Sequence, residues 1–150
     1  MGRHQRPEGV SDETVAAAGK ASEALEWIER ARGALYEFHQ LLGRADLLFG
    51  DSADMLRTAG HPELADHVDR EVVGRNVLDG RWTFQVVEEF DQLYYEAVRD
   101  AERRIRDELL DGRRHVFESE LKEARRSNGR EAHERRPPAA HSPRVATDRA

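Results

Sequence analysis

The side chains with the most chemical potential lie in one segment, GRNVLDGRWTFQVVEE, residues 74–89. The segment places cationic, amide and carboxylate groups beside Trp82, and tryptophan and arginine are enriched among the residues that dominate interface energies. His39 is a polar residue beside a largely apolar stripe of the first predicted helix, and it meets this segment if two long helices pair antiparallel. The predicted ligand- or partner-binding residues are His39, Arg75, Asn76, Arg81, Trp82, Gln85, Glu88 and Glu89.

Three interpretations of this segment are open. Trp82 could close the end of the core while Arg75 or Asn76 caps helix termini, the segment could form a binding surface, or its polar groups could line a catalytic pocket. Glu88 and Glu89 are adjacent, so on a helix they point about 100° apart and cannot act together on one bond without other groups. No catalytic residue is predicted.

The sequence also contains one weak metal-binding pattern. Glu63, His67 and Glu71 are spaced by four residues, so a helix would stack them along one face, where they could bind a divalent ion. A solvated ladder of charges explains the same spacing, and no metal site is predicted. The absence of cysteine excludes thiolate zinc sites and cysteine nucleophiles. No cofactor is predicted, because neither glycine-rich phosphate-binding motif is present.

Composition favours helices that need a partner. The chain has 150 residues, of which 38% are hydrophobic and 36% charged. Such a low apolar share indicates that self-association or another protein completes the core. The net charge is −6 and both ends are basic, so the acidic middle repels nucleic acid. Only non-specific contact through the C-terminal tail is expected.

The elements that position these residues are predicted to be all α-helical. Two long helices, residues 11–42 and 83–110, form an antiparallel hairpin, and Ser11 is the N-cap of the first. Two short helices lie between them, one after Asp51 and one beginning at Pro62. Gly43 and Gly50 interrupt the chain before the first of these, and a tight turn is expected at Asp79-Gly80. The predicted organisation is a disordered arm (1–10), a helical domain (11–126, ending in a short helix over 113–126) and a disordered basic tail (127–150).

Each long helix carries an apolar stripe at helical spacing. The first stripe consists of Ala18, Ala21, Leu25, Ile28, Ala31, Leu35, Phe38 and Leu42. The second consists of Val87, Phe90, Tyr94, Val98, Ala101, Ile105 and Leu109. No apolar run is long enough for a membrane span and no secretion signal is recognised, so a cytoplasmic location is expected.

Three segments carry a resemblance: ALYEFHQLLG (34–43), GRNVLDGRWTFQVVEEFD (74–91) and RRHVFESELK (113–122). With them the chain resembles a group of small helical proteins of actinobacteria known as conserved hypothetical proteins, over roughly residues 1–135. The resemblance implies no activity, cofactor or functional residue. The sequence therefore predicts a non-enzymatic helical interaction or scaffold protein that self-associates. The alternative is a helical-bundle enzyme or small-ligand-binding protein with a polar pocket near His39 and residues 75–89.

Overall fold

The computed structural model describes residues 2–133 and 135, which are mostly helical. No extended β-strand occurs in this part of the chain, so the predicted all-α class is confirmed. No helix within it is long and apolar enough to cross a membrane. The elements are α1 (Asp12–Thr58), α2 (Pro62–Glu71), α3 (Thr83–Phe90), a π-helical turn (Asp91–Tyr95), α4 (Glu96–Leu110), α5 (Val116–Arg125) and a 3-10 turn (Glu131–His133).

The long helices form the predicted antiparallel hairpin. Ser22, near the start of α1, donates a 3.0 Å hydrogen bond to Glu102 in α4. His39, further along α1, is 2.6 Å from the hydroxyl of Thr83, the first residue of α3. Residues further along α1 therefore contact residues earlier in the second long helix, so the two helices run in opposite directions.

Helix α1 is longer than the sequence predicts. It continues through Gly43 and Gly50 for 47 residues in all, or about 70 Å. The short helix expected after Asp51 is therefore the last part of α1, and one short helix, not two, lies between the long ones. The reason is tertiary packing: Ala53 of α1 and Ala65 of α2 are both completely buried. This packing outweighs the low helix propensity of the two glycines.

A π-helical turn shifts the buried face of the second long helix. The turn, Asp91–Tyr95, joins α3 to α4 without a break. A π turn takes up one residue more than an α turn, so the buried face after it moves by one position. Tyr95 is buried where the sequence predicts Tyr94, and Leu110 is buried where it predicts Leu109. Three of the residues predicted for this buried face, Tyr94, Ala101 and Leu109, are exposed.

The segment before α1, predicted to be a disordered arm, lies against α5. Arg6 donates two hydrogen bonds to the carboxylate of Glu120, at 2.8 and 2.7 Å, and a third to Asp12 at 2.6 Å. These bonds raise the pKa of the Arg6 guanidinium above its ordinary value. Pro7 is buried beside them. Charged hydrogen bonds therefore hold residues 2–10 on the helices. The pattern of apolar residues in the sequence gives no indication of such bonds.

The predicted C-terminal tail, 127–150, falls mostly outside the described residues. The described part contains the 3-10 turn Glu131–His133. Just before it, the backbone N–H of Ser127 donates a 3.2 Å hydrogen bond to the His133 ring. The first residues of the tail therefore fold back on themselves.

Candidate interaction site

The loop between α2 and α3 contains the tight turn expected from its Asp-Gly pair. The backbone N–H of Arg81 donates to the carbonyl of Leu78 at 3.0 Å, and the two residues form an isolated antiparallel bridge. Gly80 has a φ of +67°, a left-handed conformation that glycine adopts without steric cost. The turn returns the chain towards α1, so that Trp82 is the N-cap residue of α3.

Gly74 fixes the position of the tryptophan. Its backbone N–H donates to Oδ1 of Asp46 in α1 at 2.8 Å. Its carbonyl accepts a 3.2 Å hydrogen bond from the indole Nε1 of Trp82. One glycine therefore links α1, the loop and the indole ring. Trp82 remains 45% exposed, so it borders the helices instead of closing their core.

An apolar cleft of about 620 Å³ lies beside this tryptophan. It is bounded by the second half of α1, the end of α2 and the loop. Of the predicted binding residues, Arg75, Asn76 and Trp82 line it. The cleft is mainly apolar, unlike the polar pocket of the alternative prediction, and its polar lining residues are Asp46, Glu71, Arg75, Asn76 and Thr83. Its apolar walls are Leu42, Phe49, Val72 and Val77.

His39 and Gln85 hold the start of α3 in place. The His39 ring is half-buried, and its Nδ1 is 2.6 Å from the hydroxyl of Thr83, which is itself buried. The side chain of Gln85 accepts a 2.8 Å hydrogen bond from the backbone N–H of Trp82, a helix-capping contact. Both predicted residues thus position Trp82 and the cleft without lining the cleft themselves.

The remaining predicted residues lie on the surface. Arg81 forms an ion pair with Glu89 one turn into α3. Arg75 donates to the backbone carbonyl of Glu71 at 3.2 Å, which caps the end of α2. Glu88 is exposed. The eight predicted residues therefore share one region of the fold, but their polar groups do not converge on one point.

The weak metal-binding pattern on α2 is not assembled into a site. Glu63 and His67 are exposed, whereas the Glu71 carboxylate pairs with Arg70 at 3.1 Å and with Arg75 at 3.7 Å. Within the residues that the structure describes, no group of three or more histidine and acidic side chains could hold a metal ion.

The inner face of α1 carries a row of three polar residues, of which only His39 was predicted from the sequence. Arg32, His39 and Asp46 are spaced by seven residues, and each bonds to the opposite part of the hairpin. Arg32 donates two hydrogen bonds to Asp91 in the π turn, at 2.8 and 3.0 Å. The spacing could have revealed this row, because the three residues follow Leu25, a predicted core position, at intervals of seven and so lie on the same face of the helix.

The groups around the π turn neutralise one another. Hydrogen bonds from Arg32 lower the pKa of Asp91 below its ordinary value. The buried Tyr95 donates a 2.7 Å hydrogen bond to Glu29, which together with burial raises the pKa of the tyrosine. Arg99 lies over the Tyr95 ring at 5.5 Å. Among the described residues, no buried side-chain nitrogen or oxygen lacks a hydrogen-bond partner. The hydrogen bonds of Arg32 and Glu29 join α1 to the π turn.

The outer face of α1 carries a second, unpartnered row, which we call the outer seam. Its members follow one another at alternating steps of three and four residues, and all except the half-buried Ala45 are exposed. Trp27, Leu41 and Met55 are 60%, 62% and 71% exposed. Ala31 and Phe38, predicted to face the core, belong to this row. The outer seam consists of Ala24, Trp27, Ala31, Ala34, Phe38, Leu41, Ala45, Leu48, Ser52 and Met55.

Comparison with known proteins identifies no relative. The chain matches no protein-family model, no curated protein and no solved structure.

Proposed function

We propose that this protein is a non-enzymatic cytoplasmic interaction or scaffold protein that self-associates. One observation carries the proposal. Among the described residues, eight hydrophobic residues are buried, whereas eighteen large hydrophobic side chains are exposed. Where exposed apolar side chains lie together on one surface, they mark a site where another molecule binds.

Five of these eighteen side chains lie on the outer seam of α1: Trp27, Phe38, Leu41, Leu48 and Met55. Covering apolar surface stabilises a complex by about 25 cal/mol for each Å² removed from water. Large side chains such as Trp27, Leu41 and Met55 stand on the solvent side of α1, where no other part of the described chain buries them. A second polypeptide is the partner that matches a row of this length.

The polar residues near Trp82 support a non-catalytic role. His39 bonds to Thr83, Gln85 bonds to the backbone of Trp82, and Arg81 pairs with Glu89. These bonds hold the loop and the start of α3 in place. A catalytic site needs a nucleophile, base or acid directed at a shared reacting position, and these groups are directed at one another.

A second candidate function is suggested by the cleft. Its volume of about 620 Å³ lies in the range of pockets that bind small molecules, roughly 300–1,000 Å³. Trp27→Phe leaves Trp82 as the sole tryptophan, so its emission reports on the cleft. If the cleft is a ligand site, the apolar dye anilinonaphthalene sulfonate will change that emission saturably, and Phe49→Glu will abolish the change. A dye response that Phe49→Glu leaves intact would exclude the cleft.

Self-association is tested by the molar mass of the full chain, measured by light scattering over a wide concentration range. We expect the mass to rise reversibly from 17.2 kDa to twice that value. In a Trp82→Phe variant, the emission of the remaining Trp27 should shift to shorter wavelength over the same range, because association buries the ring. A chain that stays at 17.2 kDa throughout contradicts self-association.

A further inference from the structure

We infer that the outer seam of α1 pairs antiparallel with the outer seam of a second copy, about a two-fold axis that passes near Gln40. The inference rests on the proposed self-association and specifies its partner, surface, direction and register. A two-fold interface uses the same patch on both copies, so every contact across it occurs twice. The seam must therefore complement itself.

The spacing of the seam is that of a coiled coil. Its residues alternate in steps of three and four from Ala24 to Met55, which is a sustained seven-residue repeat. Helices with this repeat pair with left-handed supercoiling, and each seam residue inserts between residues of the facing helix. The seam occupies a face of α1 different from the face that packs on α3 and α4, so both contacts can form together.

A row of charges runs along one edge of the seam. Four charged residues, spaced by seven, each directly precede a seam residue: Arg30, Glu37, Arg44 and Asp51. The sign of their charge alternates along the helix. Arg30 lies over the ring of Trp27 at 4.7 Å. Within the described chain, the carboxylates of Glu37 and Asp51 and the guanidinium of Arg44 have no ion-pair partner. These charges are available to a second helix.

The alternation fixes the direction and register of pairing. In an antiparallel pair centred near Gln40, Glu37 faces Arg44 of the second copy, and Arg30 faces Asp51 of the second copy. By symmetry each opposite-charge pair forms twice. A slip of one heptad in either direction places like charges opposite one another, because the signs alternate at that same interval. Charged edge positions set partner choice and orientation in coiled coils.

Side-chain size agrees with the same register. Close packing requires that large residues on one helix meet small ones on the other. Three of the five facing layers, including those at the two ends of the seam, pair a large side chain with a small one, whereas Phe38 meets Leu41 near the axis and the adjacent layer pairs two alanines. The facing layers are Trp27 with Ser52, Met55 with Ala24, Leu48 with Ala31, Leu41 with Phe38, and Ala34 with Ala45.

A parallel pair would leave the charges without partners. In parallel coiled coils the charged edge faces the opposite edge of the other helix. In α1 that opposite edge carries Ile28, Leu35 and Leu42, which are half-buried against their own hairpin. Arg44 and Glu37 would then face apolar side chains, so only the antiparallel pair gives these two charges partners of opposite sign.

Spin-label distances test the direction. The chain has no cysteine, so Glu26→Cys, Gln40→Cys and Asp54→Cys each add one label site, at equivalent exposed heptad positions, in the full-length protein. In the antiparallel dimer, the two labels at position 40 are close, whereas those at 26 and at 54 are about 40 Å apart along the helix axis. Short distances at all three positions would mean a parallel pair, which overturns the inference but leaves self-association intact. The absence of any intermolecular distance, with a monomeric mass, would overturn self-association itself.

A charge exchange tests the register. Glu37→Arg places like charges opposite each other twice, so we expect dimer affinity to fall about tenfold. Arg44→Glu should have the same effect, and the two substitutions together should restore affinity, because the pairs re-form with their signs exchanged. Neither residue is ion-paired within the described chain, so circular dichroism should show unchanged helix content. A double variant weaker than either single variant would overturn the proposed register.

Discussion

Arg32 of α1 and Asp91 of the π turn form a two-pronged ion pair that joins the two long helices of the hairpin. The Nε and Nη2 atoms of the arginine donate to the two carboxylate oxygens at 2.8 and 3.0 Å. Both side chains are about 70% shielded from solvent. The arginine also lies over the ring of Tyr95 at 4.6 Å. The π turn thus presents both Asp91 and Tyr95 to the same residue of α1.

We predict that this pair stabilises the fold more than surface pairs do. Arg32→Gln should lower the free energy of unfolding by about 1–3 kcal/mol, because the partly buried Asp91 loses charged hydrogen bonds. Arg104→Gln is the matched control, since Arg104 pairs with Glu108 within one exposed helix and its loss should be smaller. Urea unfolding at one fixed protein concentration measures both. Equal losses would show that the Arg32 pair contributes no more than a surface pair.

The same pair should make stability depend on pH. Arg32 lowers the pKa of Asp91 in the folded state below its ordinary value of 3.8. The stabilisation is therefore complete above that value and decreases as pH falls through the folded pKa. Asp91→Asn removes it at every pH. The difference in urea midpoint between wild type and Asp91→Asn should be largest at neutral pH and should shrink on acidification, and a constant difference would contradict the assignment.

Two glycines of α1 should respond in opposite ways to alanine. A Cβ at Gly19 would lie 2.9 Å from the Cβ of Phe117 in α5, whereas one at Gly33 meets no atom within 4 Å. Gly19→Ala should therefore lower unfolding free energy by about 1 kcal/mol, because forced movement of α5 exceeds the gain in helix propensity. Gly33→Ala should raise it by about 0.5–1 kcal/mol. Thermal melts distinguish the two, and stabilisation by both would show that α5 does not pack closely on α1.

Gly74 should not tolerate alanine. Its φ is +70°, and side chains in this left-handed region cost about 1–2 kcal/mol. The residue cannot change conformation freely, because its N–H bonds to Asp46 and its carbonyl to the Trp82 indole. We expect Gly74→Ala to lower unfolding free energy by that amount and, in a Trp27→Phe background, to alter Trp82 emission. Unchanged stability and emission would contradict this role.

Local sequence signals were sufficient for the hairpin itself. Ser11 accepts a 3.2 Å hydrogen bond from the backbone N–H of Thr14, as its position before the first helix predicts. Pro62 begins α2 and Thr83 begins α3, as predicted. These features depend on caps, prolines and turn residues that act within a few positions of the chain. The all-α class follows from the same signals.

Features that depend on contacts across the fold were not predictable in the same way. α1 continues past Gly50 because its last part, where Ala53 is buried, packs on α2, and no local signal encodes this contact. The π turn arises within an ordinary helical pattern and moves burial from Tyr94 to Tyr95. Three of the candidate residues, Arg75, Asn76 and Trp82, line the apolar cleft, but the cleft also depends on Phe49 and Val72, which come from other elements.

The central claim is that the outer seam of α1 is the surface through which this protein associates. Sedimentation equilibrium of the wild type, Leu41→Glu and Leu93→Glu tests it most directly, because the two leucines are similarly exposed, at 62% and 64%, and only Leu41 lies on the seam. We expect a dimeric wild type, a monomeric Leu41→Glu and a dimeric Leu93→Glu. A monomeric wild type, or a Leu41→Glu variant that stays dimeric, would contradict it.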